Sequence, residues 1–123
     1  MNRFFDSFRY AGQGIALALR TERNLRFHVC AAAAVSLISA FLGLSRLEWA
    51  AVLGACALVI TAELVNTAVE RAVDLAAQQI HPVAKAAKDT AAGGVLAAAF
   101  FAVLIGLLVI GPHVWRLLAA WAQ

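Results

Sequence analysis

Three stretches of the chain carry no Asp, Glu, Lys or Arg: residues 27–45, 49–62 and 90–115, which are 19, 14 and 26 residues long. An α-helix needs roughly 20 residues, at about 1.5 Å each, to cross about 30 Å of hydrocarbon. The first and third stretches are therefore predicted to span unaided. The middle one covers only about 21 Å at that rise, so a helix crossing there must continue through Glu63, Leu64, Val65, Asn66 and Thr67. Glu63 and Asn66 then lie at membrane depth or at its border. The predicted spans are 27–45, 49–68 and 90–111; the alternative is two spans with the middle segment re-entrant or interfacial.

Ahead of the first span, Phe4, Phe8, Ala11, Ile15 and Leu19 recur at helical spacing, while Arg3, Arg9, Gln13 and Arg20 are polar. That pattern predicts an amphipathic surface helix over residues 1–26; an ordinary basic flank that sets topology is the plainer alternative. His81-Pro82 interrupts helix between the second and third spans, because proline disfavours helix at the residue before it, and Gly111-Pro112 is expected to end the third. Ala31 to Ala34 and Gly93-Gly94 are small enough for helices to approach closely in lipid.

Composition sharpens this picture. Of 123 residues, 63% are hydrophobic and 14% charged, with mean hydropathy +0.83, against roughly 45–50% apolar and 25% charged in a soluble domain. The expected fold class is an all-α integral-membrane bundle forming a single domain over 1–123, with no length left for a separate soluble catalytic domain. Any active site must be built on the membrane helices. The net charge of +3 fits nucleic-acid binding poorly. Cys30 and Cys56 sit in apolar runs without CxxC or Cys/His spacing, so they read as small buried hydrophobes rather than a disulfide or zinc site. No cleavable leader is expected, because the first long apolar run follows five arginines and two acids.

The ten basic residues orient the chain. Arg3, Arg9, Arg20, Arg23 and Arg26 precede the first span and Arg71, Lys85 and Lys88 lie between the second and third, whereas Arg46 and Arg116 fall on the other side. This bias places the N-terminus in the cytoplasm and the C-terminus outside. Trp49, Trp115 and Trp121 then fall at the outer interface, where indole rings favour the headgroup level.

The informative polar segment is Glu63-Leu-Val-Asn66-Thr-Ala-Val-Glu70-Arg-Ala-Val-Asp74. At about 100° per residue, Glu63, Glu70 and Asp74 fall within roughly 40° of one another, with Asn66 about 60° to one side. Carboxylates sharing one face repel, and one at membrane depth costs roughly 2.5–3.5 kcal/mol even on the lenient insertion scale. A cation relieves both. Mg²⁺ suits such oxygen donors, since it is commonly held by one or two carboxylates together with substrate phosphates. Five of the seven acids, Glu22, Glu63, Glu70, Asp74 and Asp89, gather toward one end together with Lys88, which suits a phosphorylated substrate held through a metal. Each residue also has a structural alternative: Glu63 as a helix-packing residue, Glu70 and Asp74 as a solvated face, Lys88-Asp89 as a capping and topology pair, Arg20, Arg23 and Arg26 as topology signals, and His28 as an interfacial histidine. No GxxxxGK followed by Ser or Thr occurs, Gly12-Gln-Gly14 lacks the strand-to-helix context of a dinucleotide loop, and no GxSxG appears.

Together, Arg20-Thr-Glu22-Arg-Asn-Leu-Arg26-Phe-His28, the Glu63 to Asp74 segment and His81-Pro-Val-Ala-Lys85-Ala-Ala-Lys88-Asp89 resemble the bacterial diacylglycerol kinase and undecaprenol kinase family over nearly the whole chain. The resemblance implies a homotrimer whose protomers each have a surface helix and three spans, with active sites shared between subunits. It implies that Glu63 is the catalytic base taking the proton of a lipid hydroxyl, that Asn66 supports it, and that Glu22 and Glu70 hold the Mg²⁺ bound to ATP. Lys88 and Asp89 match residues contacting phosphate and nucleoside, and Asp74, Tyr10, His81 and Arg3 complete the implied nucleotide set. His28 stands where the better-known diacylglycerol kinase pattern has an acid, and Ala91-Ala92 where it has Gly-Ser. His81-Pro82 and Thr21-Glu22-Arg23-Asn24 look more like the undecaprenol kinase branch.

The function expected is therefore an Mg²⁺- and ATP-dependent kinase of a lipid alcohol in the bacterial inner membrane, with undecaprenol favoured over diacylglycerol and no nucleic-acid partner. Two rivals are a non-catalytic trimeric membrane module and an ion or proton pathway lined by Glu63. The second explains an intramembrane acid but not Glu22, Lys88 and Asp89.

Overall fold

The computed structural model describes residues 3–77, 79 and 81–122. It contains four helices in chain order: α1 (Arg3–Thr21), α2 (Arg23–Leu42), α3 (Arg46–Ala76) and α4 (Pro82–Trp121). α2, α3 and α4 are each long and apolar enough to cross a membrane. α1 lacks such an apolar stretch, and its Phe4, Phe8 and Ile15 lie exposed, as an amphipathic helix on a bilayer surface requires.

Each break has a local cause. α2 ends where Gly43 takes the left-handed conformation (φ 67°) and donates its N–H to the Ser39 carbonyl, a terminator that glycine adopts without Cβ strain. Ser45 then opens α3 with a capping box: its N–H donates to Glu48 Oε2 at 2.8 Å, and the Glu48 N–H donates to Ser45 Oγ. At the start of α4, Pro82 occupies the first turn and the Val83 N–H donates to His81 Nδ1 at 3.2 Å, so the expected break at His81-Pro82 is also a helix cap.

α3 is the organising element, packing mainly along α4 and secondarily against α2. Its buried residues are Val52, Ala55, Val59, Glu63, Asn66 and Thr67, which recur at helical spacing. One stripe thus begins as hydrophobic core and turns polar toward the C-terminal end of the helix. α4 buries only Ala98, leaving residues such as Leu107 and Leu108 exposed, as a lipid-facing helix would.

Four expectations need correction. Gly111-Pro112 does not end the last helix, which runs on to Trp121 with Pro112 inside it. Membrane helices tolerate proline where neighbouring groups compensate, and here His113 Nε2 lies 2.9 Å from Glu48 Oε1, tying the turn after the proline to α3. The surface helix stops at Thr21 rather than reaching residue 26, because Glu22 alone is extended (φ −98°, ψ 115°) and Arg23 to Arg26 already belong to α2. Cys30 is exposed and Cys56 only partly buried; both are free thiols. Finally, a Cβ at Gly93 or Gly94 would meet nothing within 4 Å, so neither glycine is needed for packing within the chain.

Candidate active site

The polar end of the α3 stripe holds a graded series. Glu63 is 4% exposed, Asn66 7% and Thr67 4%; Glu70 is half-buried and Asp74 exposed. The Asn66 amide donates through Nδ2 to Glu70 Oε1 at 3.1 Å, orienting a carboxylate one turn further along. Its carbonyl Oδ1 is buried and has no partner among the described residues. Leaving a buried polar atom unpaired costs about 1–3 kcal/mol.

Beyond Glu70 the helices frame a cavity of about 520 Å³. Its lining includes Glu70, Asp74, His81, Lys85, Lys88 and Asp89, so the loop before α4 and the first turns of α4 face α3 across it. Lys88 Nζ donates to Asp74 Oδ1 at 2.7 Å, bridging the two helices. Lys85 pairs with Asp89 one turn away on α4. Of the five predicted acids, Glu70, Asp74 and Asp89 thus line one cavity with Lys88, while Glu22 and Glu63 lie outside its lining.

A second, apolar cavity of about 370 Å³ opens between α2, α3 and α4, lined by residues including Phe27, His28, Val35, Val59 and Val103. Along α3, Glu63 falls between Val59, which lines this cavity, and Glu70, which lines the charged one, while itself lining neither.

Glu22 is the joint between α1 and α2. Although it sits at the N-cap of α2, its side chain makes no capping bond; it turns instead to Thr21 and to Arg71 of α3, whose Nη2 lies 3.1 Å from Glu22 Oε1 and 2.6 Å from Thr21 Oγ1. Arg26 Nη1 donates to the Leu19 and Arg20 carbonyls at 3.2 and 2.9 Å, closing the end of α1.

Two sequence candidates stay apart. Tyr10 is exposed and engages its neighbour Arg9, whose Nη2 donates to Tyr10 Oη and whose guanidinium lies 5.2 Å from the ring centroid. Arg3 starts α1, and its carbonyl accepts from Ser7 Oγ. Neither makes a hydrogen bond or ion pair with the other candidates among the described residues. Conversely, Arg71, Thr21 and Lys85 belong to the site but were not among the candidates. Only the position of Arg71, next to Glu70, hinted at its involvement.

Among the described residues no group of three His, Cys, Asp or Glu side chains is placed to hold a metal ion by itself. The oxygens present, two carboxylates at Glu22 and Glu70 and the unpaired Asn66 Oδ1, are hard donors. They suit Mg²⁺, which usually completes its shell with water and substrate phosphates.

A family profile described as prokaryotic diacylglycerol kinase matches residues 9–110. The undecaprenol kinase of Bacillus subtilis is 46% identical over 112 residues, covering 91% of each chain. A diacylglycerol kinase of Synechocystis is 42% identical over 113 residues, covering 91% of this chain and 65% of that protein. One from Helicobacter pylori is 33% identical over 103 residues, covering 84% of this chain and 80% of the other. The graded carboxylates of α3 and the charged cavity beside them thus lie within a match that spans most of the sequence, and the chain belongs to the prokaryotic diacylglycerol kinase family.

Proposed function

We propose that the protein transfers the γ-phosphate of ATP to the hydroxyl of a membrane lipid alcohol, with undecaprenol as the favoured acceptor. The observation that carries this is one helix, α3, that lines an apolar cavity through Val59 and a charged cavity through Glu70 and carries the buried carboxylate of Glu63 between those two residues. In the reaction the lipid oxygen attacks the γ-phosphorus, the bond from that phosphorus to the bridging oxygen of ADP breaks, and the hydroxyl proton passes to Glu63. Products are the lipid phosphate and ADP. Asn66 holds Glu70 in place, Glu22 and Glu70 would ligate the Mg²⁺ on the nucleotide, and Lys88, with Asp74, Asp89 and His81 around it, neutralises and orients phosphate. The metal, when bound, supplies charge neutralisation to the transferring group. Such chemistry depends on alignment and electrostatics more than on covalent catalysis.

Arg3 and Tyr10 on α1 complete a nucleotide site only if α1 or a neighbouring subunit brings them in, which fits a homotrimer with shared sites. The positive-inside bias places the charged end in the cytoplasm, where ATP is, with the C-terminus outside. Diacylglycerol is the second acceptor considered, because relatives bearing that activity in their names match well; the higher identity to an undecaprenol kinase favours the polyprenol.

The test is transfer of labelled γ-phosphate from Mg-ATP to undecaprenol and to diacylglycerol, side by side, in mixed micelles of the purified protein. The expected result is labelled undecaprenyl phosphate exceeding labelled phosphatidic acid, with transfer abolished by EDTA and restored by Mg²⁺. A preference for diacylglycerol would move the acceptor. No transfer to either lipid would leave a non-catalytic membrane module.

A further inference from the structure

We propose that Arg71 is a positioning residue that, together with Thr21, aims the Glu22 carboxylate as a one-oxygen metal ligand; this rests on the kinase function proposed above. The two donors converge on a single atom. Arg71 Nη2 lies 3.1 Å from Glu22 Oε1, and Thr21 Oγ1, whose single proton can go either to the Leu17 carbonyl at 3.1 Å or to this carboxylate, lies 2.9 Å from the same oxygen, while Oε2 has no hydrogen-bond donor among the described residues. Arg71 Nη2 also reaches Thr21 Oγ1 at 2.6 Å, so hydroxyl, guanidinium and carboxylate form a closed triangle. Its effect is to fix the rotamer of a side chain that would otherwise be mobile, since Glu22 is the one extended residue between two helices and does not cap its own.

The triangle also sets where that carboxylate stands relative to the rest of the site. Arg71 follows Glu70 directly on α3, so the same turn of helix that carries one proposed metal ligand grips the other from α2. A carboxylate on a joint between helices is thereby locked to the rigid element bearing Glu63, Asn66 and Glu70. Such outer partners of metal-ligating groups orient them, and their loss typically weakens metal affinity by roughly 10–100-fold.

A competing effect has the opposite sign. Arg71 is a cation near the proposed ion, so removing it as a bare charge would tighten metal binding. The pair is part-exposed, with side-chain exposures of 44% for Arg71 and 30% for Glu22, so solvent screens that repulsion, and orientation is the larger effect. Lysine separates the two, because it keeps the charge while replacing a planar fork by a single point donor.

The experiment measures Mn²⁺ binding by electron paramagnetic resonance in the presence of ADP, on the full-length protein in mixed micelles. It compares wild type, Arg71→Lys, Arg71→Gln and Thr21→Val, alongside kcat and the KM for Mg-ATP and for lipid. Expected are roughly tenfold or greater weakening of Mn²⁺ in Arg71→Gln, a smaller weakening in Arg71→Lys and Thr21→Val, and a matching rise in the KM for Mg-ATP with the lipid KM unchanged. Tighter Mn²⁺ binding in Arg71→Gln, or wild-type binding in both Arg71→Lys and Thr21→Val, would overturn the positioning role. Thr21→Val keeps every charge, so it still decides the matter if the Arg71 variants fail to assemble. A wild-type protein that transfers no phosphate condemns the kinase reading instead, and that outcome is read separately from the variants.

Discussion

At the turn from α2 to α3, Glu48 commits both carboxylate oxygens within the fold: Oε2 accepts from the Ser45 N–H at 2.8 Å and Oε1 lies 2.9 Å from His113 Nε2. Past the middle of the same helix, toward its other end, Glu63 is 4% exposed and has no hydrogen-bond partner among the described residues, while Asn66 donates to Glu70 but leaves its own buried carbonyl oxygen unpaired. Both ends place an acid on α3, yet only one closes its polar groups on one another. Glu48 is closed within the fold, whereas Glu63 and Asn66 form a group of neighbouring polar side chains that the fold leaves incompletely satisfied. That difference supports reading Glu48 as structural and Glu63 as the proposed functional carboxylate, where residue type alone cannot separate them.

The largest expected effect that would break this comparison comes from Glu63→Gln, an isosteric change that removes the proposed base. Phosphate transfer should fall by at least about 100-fold, the lower end of what general-base catalysis contributes, while size-exclusion elution and helical circular dichroism stay at wild type. Retained turnover would place Glu63 in the same class as Glu48. Next in size is His113→Ala, which removes the tie behind Pro112: the thermal unfolding midpoint should drop, with kcat and the KM for Mg-ATP unchanged. A loss of activity without loss of stability would show that the two ends are not divided as described. The smallest effect sharpens the meaning of an unpaired atom. Ser39 is fully buried with a hydroxyl that finds no partner among the described residues, but it stands alone near the structural end. Ser39→Ala should leave activity intact and stability unchanged or raised by less than about 1 kcal/mol, since it deletes an unsatisfied group; calorimetry checks this.

Much of this arrangement is legible in the sequence because it depends on local periodicity. The charge-free runs mark α2, α3 and α4, and an angle of about 100° per residue already places Glu63, Glu70 and Asp74 on one face. What escapes is whatever depends on contacts far apart in the chain. Nothing in Thr21-Glu22-Arg23 contains a glycine or proline, so the end of α1 carries no breaker; the break is stabilised by Arg26 on the Leu19 and Arg20 carbonyls and by Arg71 from α3. Arg71 itself reads as one more topology charge until its partner, 49 residues earlier, is in view. Pro112 misleads for a different reason: rules for helix ends drawn from water are weaker where the backbone has no solvent to bond with and remains helical.

α3 runs unbroken through 31 residues, about 46 Å at about 1.5 Å per residue, against about 30 Å of hydrocarbon. With Trp49 at one interface, a perpendicular helix would carry Glu63 about 21 Å in and bring Glu70 near the far boundary, with Asp74 about 6 Å beyond Glu70. Such a rod works as a depth gauge. It fixes the proposed proton acceptor inside the hydrocarbon, about 9 Å short of the boundary at which the proposed phosphate-handling residues begin. A one-residue insertion between Glu63 and Glu70 would rotate the two parts by about 100° relative to each other as well as displacing them, so the spacing along this helix sets both depth and direction.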